Sequence, residues 1–173
     1  YKMLKRKSKS GSARYKLKKA IMELGPTGYP FEKFVGKILE YEGFNNVMVG
    51  VVMQGQCVTH EVDVTALKDN EHYLIECKFH SDQGRFCNVK IPLYIHSRFI
   101  DLEKQWLKNK EHSIKLHKGW VYTNTRLSSD AIQYGECAGL GLVSWDYPLK
   151  NSLKNRIENS GLHPLTCLSS LTK

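Results

Sequence analysis

The stretch His60-Glu61-Val62-Asp63-Val64-Thr65-Ala66-Leu67-Lys68-Asp69-Asn70-Glu71-His72-Tyr73-Leu74-Ile75-Glu76-Cys77-Lys78-Phe79 decides how this chain is read. Both ends alternate polar and apolar residues, the pattern of half-buried strands. Lys68-Asp69-Asn70-Glu71 supplies a turn between them. Side chains two apart in a strand point the same way. Alternation therefore predicts Glu61, Asp63 and Thr65 on one face of the first strand, and Leu74, Glu76 and Lys78 on one face of the second. Carboxylates on adjacent strands beside a lysine form either a solvated salt-bridge cluster, in which an exposed pair contributes about 0–1 kcal/mol, or a cation site.

Outward from the hairpin, Asn46 to Met53 reads as a strand before it, so the first half of the sheet is expected to be an antiparallel meander. Upstream, Tyr29-Pro30 opens a helix running to Gly43, with Phe31, Phe34, Val35, Ile38 and Leu39 as its buried stripe and Glu32 at the stripe's edge. Ala13 to Leu24 is a shorter helix stopped by Gly25-Pro26. Downstream, His80 to Pro92 reads as a polar loop, and Tyr94-Ile95-His96-Ser97-Arg98 opens a helix with Ile95, Phe99, Leu102 and Trp106 inward. Gly119 to Thr123 is a buried strand. Ser128 or Ser129 caps a helix to about Ala138, Gly141 to Trp145 is a last strand, and Leu149 to Asn159 a terminal helix stopped at Gly161. The order predicts an α/β sandwich built of a meander and two crossovers. Trp106, Trp120 and Trp145 sit in apolar patterns and are expected in the core.

Bulk properties narrow the classes. At 173 residues, 41% hydrophobic and 25% charged, the chain suits one soluble domain. It has no apolar run of the roughly 20 residues a membrane span needs and no signal pattern, so a cytoplasmic protein without a membrane partner is expected. Five widely spaced cysteines without a C-x-x-C pair argue against zinc and disulfide frameworks. The chain starts at Tyr1, as expected of a piece of something longer. Its net charge of +9 resides in residues 1–19, which hold nine Lys or Arg and no acid; the remainder balances 17 basic against 17 acidic residues. That arm suits phosphate tracking and a solvated linker equally.

Hydrolysis of a phosphodiester needs a nucleophilic water and relief of the charge building on phosphate, both of which Mg²⁺ assists. Mg²⁺ takes few carboxylates and keeps its waters, so Asp63, Glu76 and the backbone carbonyl of Cys77 suffice as ligands, with Mn²⁺ as substitute. Partial burial and the metal would favour a neutral amine at Lys78, able to orient or deprotonate the water. Glu32 reaches in from its helix edge.

The helix Phe31-Glu32-x-x-Val35, the strand end Glu61-Val62-Asp63, the strand Glu76-Cys77-Lys78 and the later Tyr122-Thr123-Asn124-Thr125 before Ser128, Ser129 and Ala131 together resemble the PD-(D/E)xK nuclease superfamily, in its Mrr-type restriction endonuclease branch. The resemblance implies a restriction-endonuclease-like mixed sheet of about five strands flanked by helices, in the order α-β-β-β-α-β-α-β. It also implies metal ligation by Asp63 and Glu76, water activation by Lys78 and an auxiliary acidic role for Glu32. His60-Glu61 stands where many such proteins have Gly before the metal-binding Asp. His60 and Glu61 are accordingly expected in the second layer around the metal. Ala13 to Ile21 is similar to the closing stretch of an ATP-cone, without that module's phosphate-contacting front half, so no ATP binding is expected. The resulting division is an arm and helix over residues 1–25, an endonuclease core over 26–147 and a helical extension over 148–173. DNA is the expected partner, through His80, Arg85, Lys90, Tyr94, His96, Arg98 and Arg126. Cutting both strands of a duplex suits a homodimer. The competing reading is a DNA-binding module that does not cleave.

Overall fold

A computed structural model describes residues 4–5, 11–82, 84–108 and 116–164. The elements in chain order are β1 (Leu4–Lys5), α1 (Gly11–Met22), α2 (Tyr29–Tyr41), β2 (Asn45–Gln54), β3 (Thr59–Lys68), β4 (Glu71–Lys78), β5 (Phe86–Cys87), α3 (Lys90–Trp106), β6 (Leu116–Thr123), β7 (Arg126–Leu127), α4 (Ser129–Cys137), β8 (Gly141–Val143), α5 (Leu153–Ser160) and β9 (Leu162–His163). Five strands form the central sheet in the order β2-β3-β4-β6-β8. The first three pair antiparallel, while β4, β6 and β8 run parallel through the α3 and α4 crossovers, as expected.

Local chemistry explains these elements. Asp69 and Asn70, both at positive φ, make the tight turn joining β3 to β4. Pro30 lies in the first turn of α2, where its missing N–H leaves no helical bond unmade. Ser128 accepts the Ala131 N–H and caps α4. Gly161, in the left-handed region, ends α5.

Two apolar layers sandwich the sheet. Phe31, Phe34, Ile38 and Leu39 of α2 join Leu17 and Ile21 of α1, Ile157 of α5 and Val64, Ile75 and Tyr122 of the sheet on one side. Ile95, Phe99 and Leu102 of α3 meet Val62, Leu74, Val121 and Leu142 on the other. Trp145 is buried in the first layer; Trp106 and Trp120 are partly buried against the second and first.

Four expectations are corrected. Helix α3 begins four residues before Tyr94, because Asn88 Oδ1 accepts the Lys90 N–H at 3.0 Å and Pro92 falls in the first turn, where proline is tolerated; Lys90 is thus helical. The expected loop before it contains β5, which pairs in parallel with β7. Helix α5 starts at Leu153 instead of Leu149, behind a Ser152–Asn155 capping box. Of the arm, Leu4–Lys5 pairs antiparallel with Leu162–His163. The stretch Ser8 to Ser12 is expected as a linker, but Gly11 and Ser12 already belong to α1; residues 8–10 and the tail from 165 lie outside the described residues. Among the described residues, no helix is long and apolar enough to cross a membrane.

Candidate metal and phosphodiester site

The site sits where β3 and β4 part. Their pairing runs from Lys68 and Glu71 as far as Val64 and Ile75, while β3 continues along β2 to Thr59. In the fork beyond Val64, the Asp63 carboxylate does what a strand partner would have done: its Oδ2 accepts the Cys77 N–H at 2.7 Å.

The fork also turns the strand over. Val62 packs in the α3 layer and Val64 in the α2 layer, although strict alternation puts both on one face. Opposite Asp63 in the β2–β3 register stands Gly50, at φ +69°, a conformation that side chains with a Cβ resist. The expected common face of Glu61, Asp63 and Thr65 is therefore corrected. Strand parity turns Glu61 toward α2 and Thr65 toward α3, with Asp63 at the crossover between them.

Glu76 follows Leu74 onto the α3 side, where Arg98 meets it: Nη1 donates to Oε2 at 2.7 Å, and Nη2 donates to the Glu61 carbonyl. Both side chains are largely buried, at 12% and 13% exposure. Glu32 enters from the first turn of α2, with its Oε1 close above Gly28. Burial, then the charges of Asp63 and Glu61, push the Glu32 carboxyl up to about 7. Burial, then Asp63, raise Glu76 to about 7 against the pull of Arg98 and Lys78. Asp63 is raised chiefly by burial, although the Cys77 N–H and Arg98 favour its anion. The acids thus form one field at which negative charge accumulates against desolvation.

Lys78 is exposed at the end of β4. The partial burial expected of it is corrected. Its charge is nonetheless felt by Asp63, Glu76 and His80. Among the described residues, no three His, Cys, Asp or Glu side chains converge as a ready-made metal shell. The donor set that fits is the smaller one of two carboxylates, each engaging one oxygen with the protein, which suits a cation that keeps most of its waters.

The outlying candidates divide. His60 is not beside the carboxylates: its Nε2 lies 2.8 Å from Asp101 Oδ2, on the α3 side with Val62. His96 Nδ1 lies 2.8 Å from the Tyr134 hydroxyl, tying α3 to α4, and Arg98 is engaged with Glu76, so neither stands at the surface as a free phosphate contact. Arg85, Lys90 and Tyr94 are exposed, as is Arg126, which pairs with Asp146 at 2.9 Å. His80 is half-buried, its Nε2 3.4 Å from Cys87 Sγ, and burial followed by Lys78 lowers its pKa.

Sequence reasoning missed Asn124 as a structural clamp. Fully buried, it accepts the His80 N–H at 2.8 Å and donates to the His80 carbonyl at 2.7 Å, fixing the chain two residues past Lys78. Its place in Tyr122-Thr123-Asn124-Thr125, at the end of a buried strand, was the available signal. The contact of Arg98 with Glu76 was not readable from the sequence, because helical spacing does not say which side of a sheet a helix covers.

No family model matches the chain. An uncharacterized protein of Archaeoglobus fulgidus is 37% identical over 134 residues, covering 78% of this chain and 71% of that protein. The crystal structure of AF1548, a protein of unknown function, superposes with a TM-score of 0.72 at 36% identity, covering 81% of this chain and 70% of that one. The DNA modification-dependent restriction endonuclease AspBHI matches with a TM-score of 0.52 at 12% identity, over 99% of this chain and 43% of its own. Can2 from Sulfobacillus thermosulfidooxidans, solved with cyclic tetra-adenylate, matches at 0.53 and 17%, over 78% and 36%. These two likenesses concern the fold alone: the mixed five-strand sheet flanked by helices is restriction-endonuclease-like. At the level of sequence, the chain belongs to the family of the uncharacterized Archaeoglobus fulgidus protein.

Proposed function

We propose that this chain is a metal-dependent DNA endonuclease of the restriction type, in the Mrr-type branch, with Asp63 and Glu76 as ligands of Mg²⁺ or Mn²⁺. One observation carries the reading. Asp63 and Glu76 meet at the β3–β4 fork with one oxygen each engaged by the Cys77 N–H and Arg98, in a field that already resists its own negative charge. A cation bound there would relieve that repulsion and, with the Cys77 carbonyl, complete a sparse shell. When bound, the metal supplies a more acidic water and charge neutralisation at the phosphate.

The chain's own residues do the rest. Asp63 is held by the Cys77 N–H and Glu76 by Arg98, so neither carboxylate must reorganise when substrate arrives. Lys78, at the solvent side, donates to a phosphate oxygen or orients the attacking water. Glu32 takes up a proton near neutrality and is suited to accept one from water. Helix α1 packs into the core through Leu17 and Ile21.

The test is plasmid and modified DNA incubated with wild type, Asp63→Asn and Lys78→Ala in Mg²⁺ or Mn²⁺. Nicking or cutting by wild type alone supports the reading. Equal cutting by Asp63→Asn rejects it, and metal-independent binding without turnover assigns the chain to a non-cleaving DNA-binding module.

A further inference from the structure

Two cavities beyond the carboxylates join at one residue. The first, of about 280 Å³, is lined by Pro26, Gly28 and the segment from Cys77 to Ser81, and reaches Arg85. The second, of about 450 Å³, runs from Arg85 past Phe86 and Lys18 to Thr125, Arg126 and Ser128. Among the described residues, none lining either cavity is acidic, whereas Lys78, Arg85, Lys18 and Arg126 all do. For Lys78, Arg85 and Arg126 this bias is local, because residues outside the first 19 are formally neutral as a whole. Arg85 and Arg126 do pair with Asp82 and Asp146, outside the lining, but these are exposed pairs worth about 0–1 kcal/mol, which a phosphate readily displaces.

An aromatic ring stands in the middle of this trough. Phe86 and Cys87 form β5, and pairing with Arg126–Leu127 fixes which way each points. Cys87 is buried against His80 and Thr123, so Phe86 is turned outward, at 55% exposure, beside Arg85. A large exposed apolar ring on a pinned two-residue strand, flanked by cations, has the parts of a base-stacking platform. A paired base inside a duplex shows such a ring only its edge, whereas an unpaired base offers its face.

We infer that the trough from Lys78 to Arg126 binds a single-stranded DNA segment, with its phosphates on Arg85, Arg126, Lys18 and Lys78 and one unpaired base stacked on Phe86. The inference rests on the nuclease reading for its choice of DNA and deepens it. The strand to be cut would be presented single-stranded at the fork, as at an overhang, a flap or an opened site.

The experiment measures fluorescence anisotropy of labelled oligothymidylate and of a blunt duplex against the whole chain in EDTA, where cleavage does not interfere. The expected result is tighter binding of the single strand by wild type. Phe86→Ala should weaken it about 5- to 100-fold while duplex binding and the melting temperature stay unchanged. Phe86→Trp should retain it, and Arg126→Ala should flatten its salt dependence. Duplex preference by wild type, or a single-strand affinity indifferent to Phe86→Ala, overturns the inference. Because binding is read without metal, failure here leaves the Asp63 cleavage test standing, and failure of that test leaves this one standing.

Discussion

Arg98 Nη1 lies 2.7 Å from Glu76 Oε2 while its Nη2 donates to the Glu61 carbonyl, so one side chain from α3 ties together the two strands that part at Val64 and Ile75. The guanidinium also lies 5.5 Å from the centre of the Tyr94 ring, which limits where it can swing. It is at once a strand clasp and a resident counter-charge for the acid a metal would bind.

Arg98→Gln is expected to lower stability by about 1.5–3 kcal/mol above pH 7, where Glu76 is ionised, and by less near pH 5.5, where protonation removes the charge-assisted part of the bond. Urea denaturation at the two pH values checks this. An equal loss at both would mean that the ion pair is not what Arg98 contributes.

Glu32 offers a pH test with a definite sign. Its carboxyl is raised to about 7 from an ordinary 4.5, so the folded chain holds a proton that the unfolded chain has already released between those values. Stability therefore falls as pH rises through that window and levels off above it. Glu32→Gln is expected to melt with wild type near pH 4.5 and above it at pH 8. Added Mn²⁺ should raise the wild-type melting temperature at pH 8 and have little effect at pH 5. Calorimetric scans across the window measure both.

Gly50, at φ +69° and opposite Asp63, lets the two strands turn over. Gly50→Ala should cost about 1–2 kcal/mol from backbone strain, since the space for a methyl is open, with Glu61 Oε1 at 3.9 Å as its neighbour. The same variant should weaken Mn²⁺ binding, read by electron paramagnetic resonance, more than an Ala substitution at exposed Val52 on the same strand.

Asn124→Ala leaves the His80 N–H and carbonyl without their partner in a half-buried setting. Each orphaned group costs about 1–3 kcal/mol, so the variant should lose more than about 2 kcal/mol. Hydrogen exchange should speed up at His80 before it does so in the β3–β4 turn.

Much of this protein was legible from local pattern. The Phe31-to-Leu39 stripe, the Asp69-Asn70 turn, the Ser128 cap and the Gly161 stop depend on interactions within a few residues, and each is where the sequence puts it. The candidate acids were legible too, because alternation and the Lys68-to-Glu71 turn put Asp63 and Glu76 on neighbouring strands of one hairpin. What failed were inferences that treat a strand as ideal or a loop as empty: Asp63 lies where alternation breaks, and Phe86 lies in a segment with no strand signal of its own.

The sequence by itself determined the order of the core helices and central strands, the meander, the crossovers and which acids stand near the hairpin, since periodicity and turn chemistry are properties of neighbouring residues. Only the tertiary structure decided that Val62 and Val64 pack on opposite faces, that Arg98 closes on Glu76 and that Asn124 holds His80. Each of those depends on residues 22 or 44 positions apart, or on a backbone turn at Gly50 in the partner strand, meeting in space. Periodicity within one segment carries no information about such meetings, because they are settled by how the two helical layers close over a sheet that has forked.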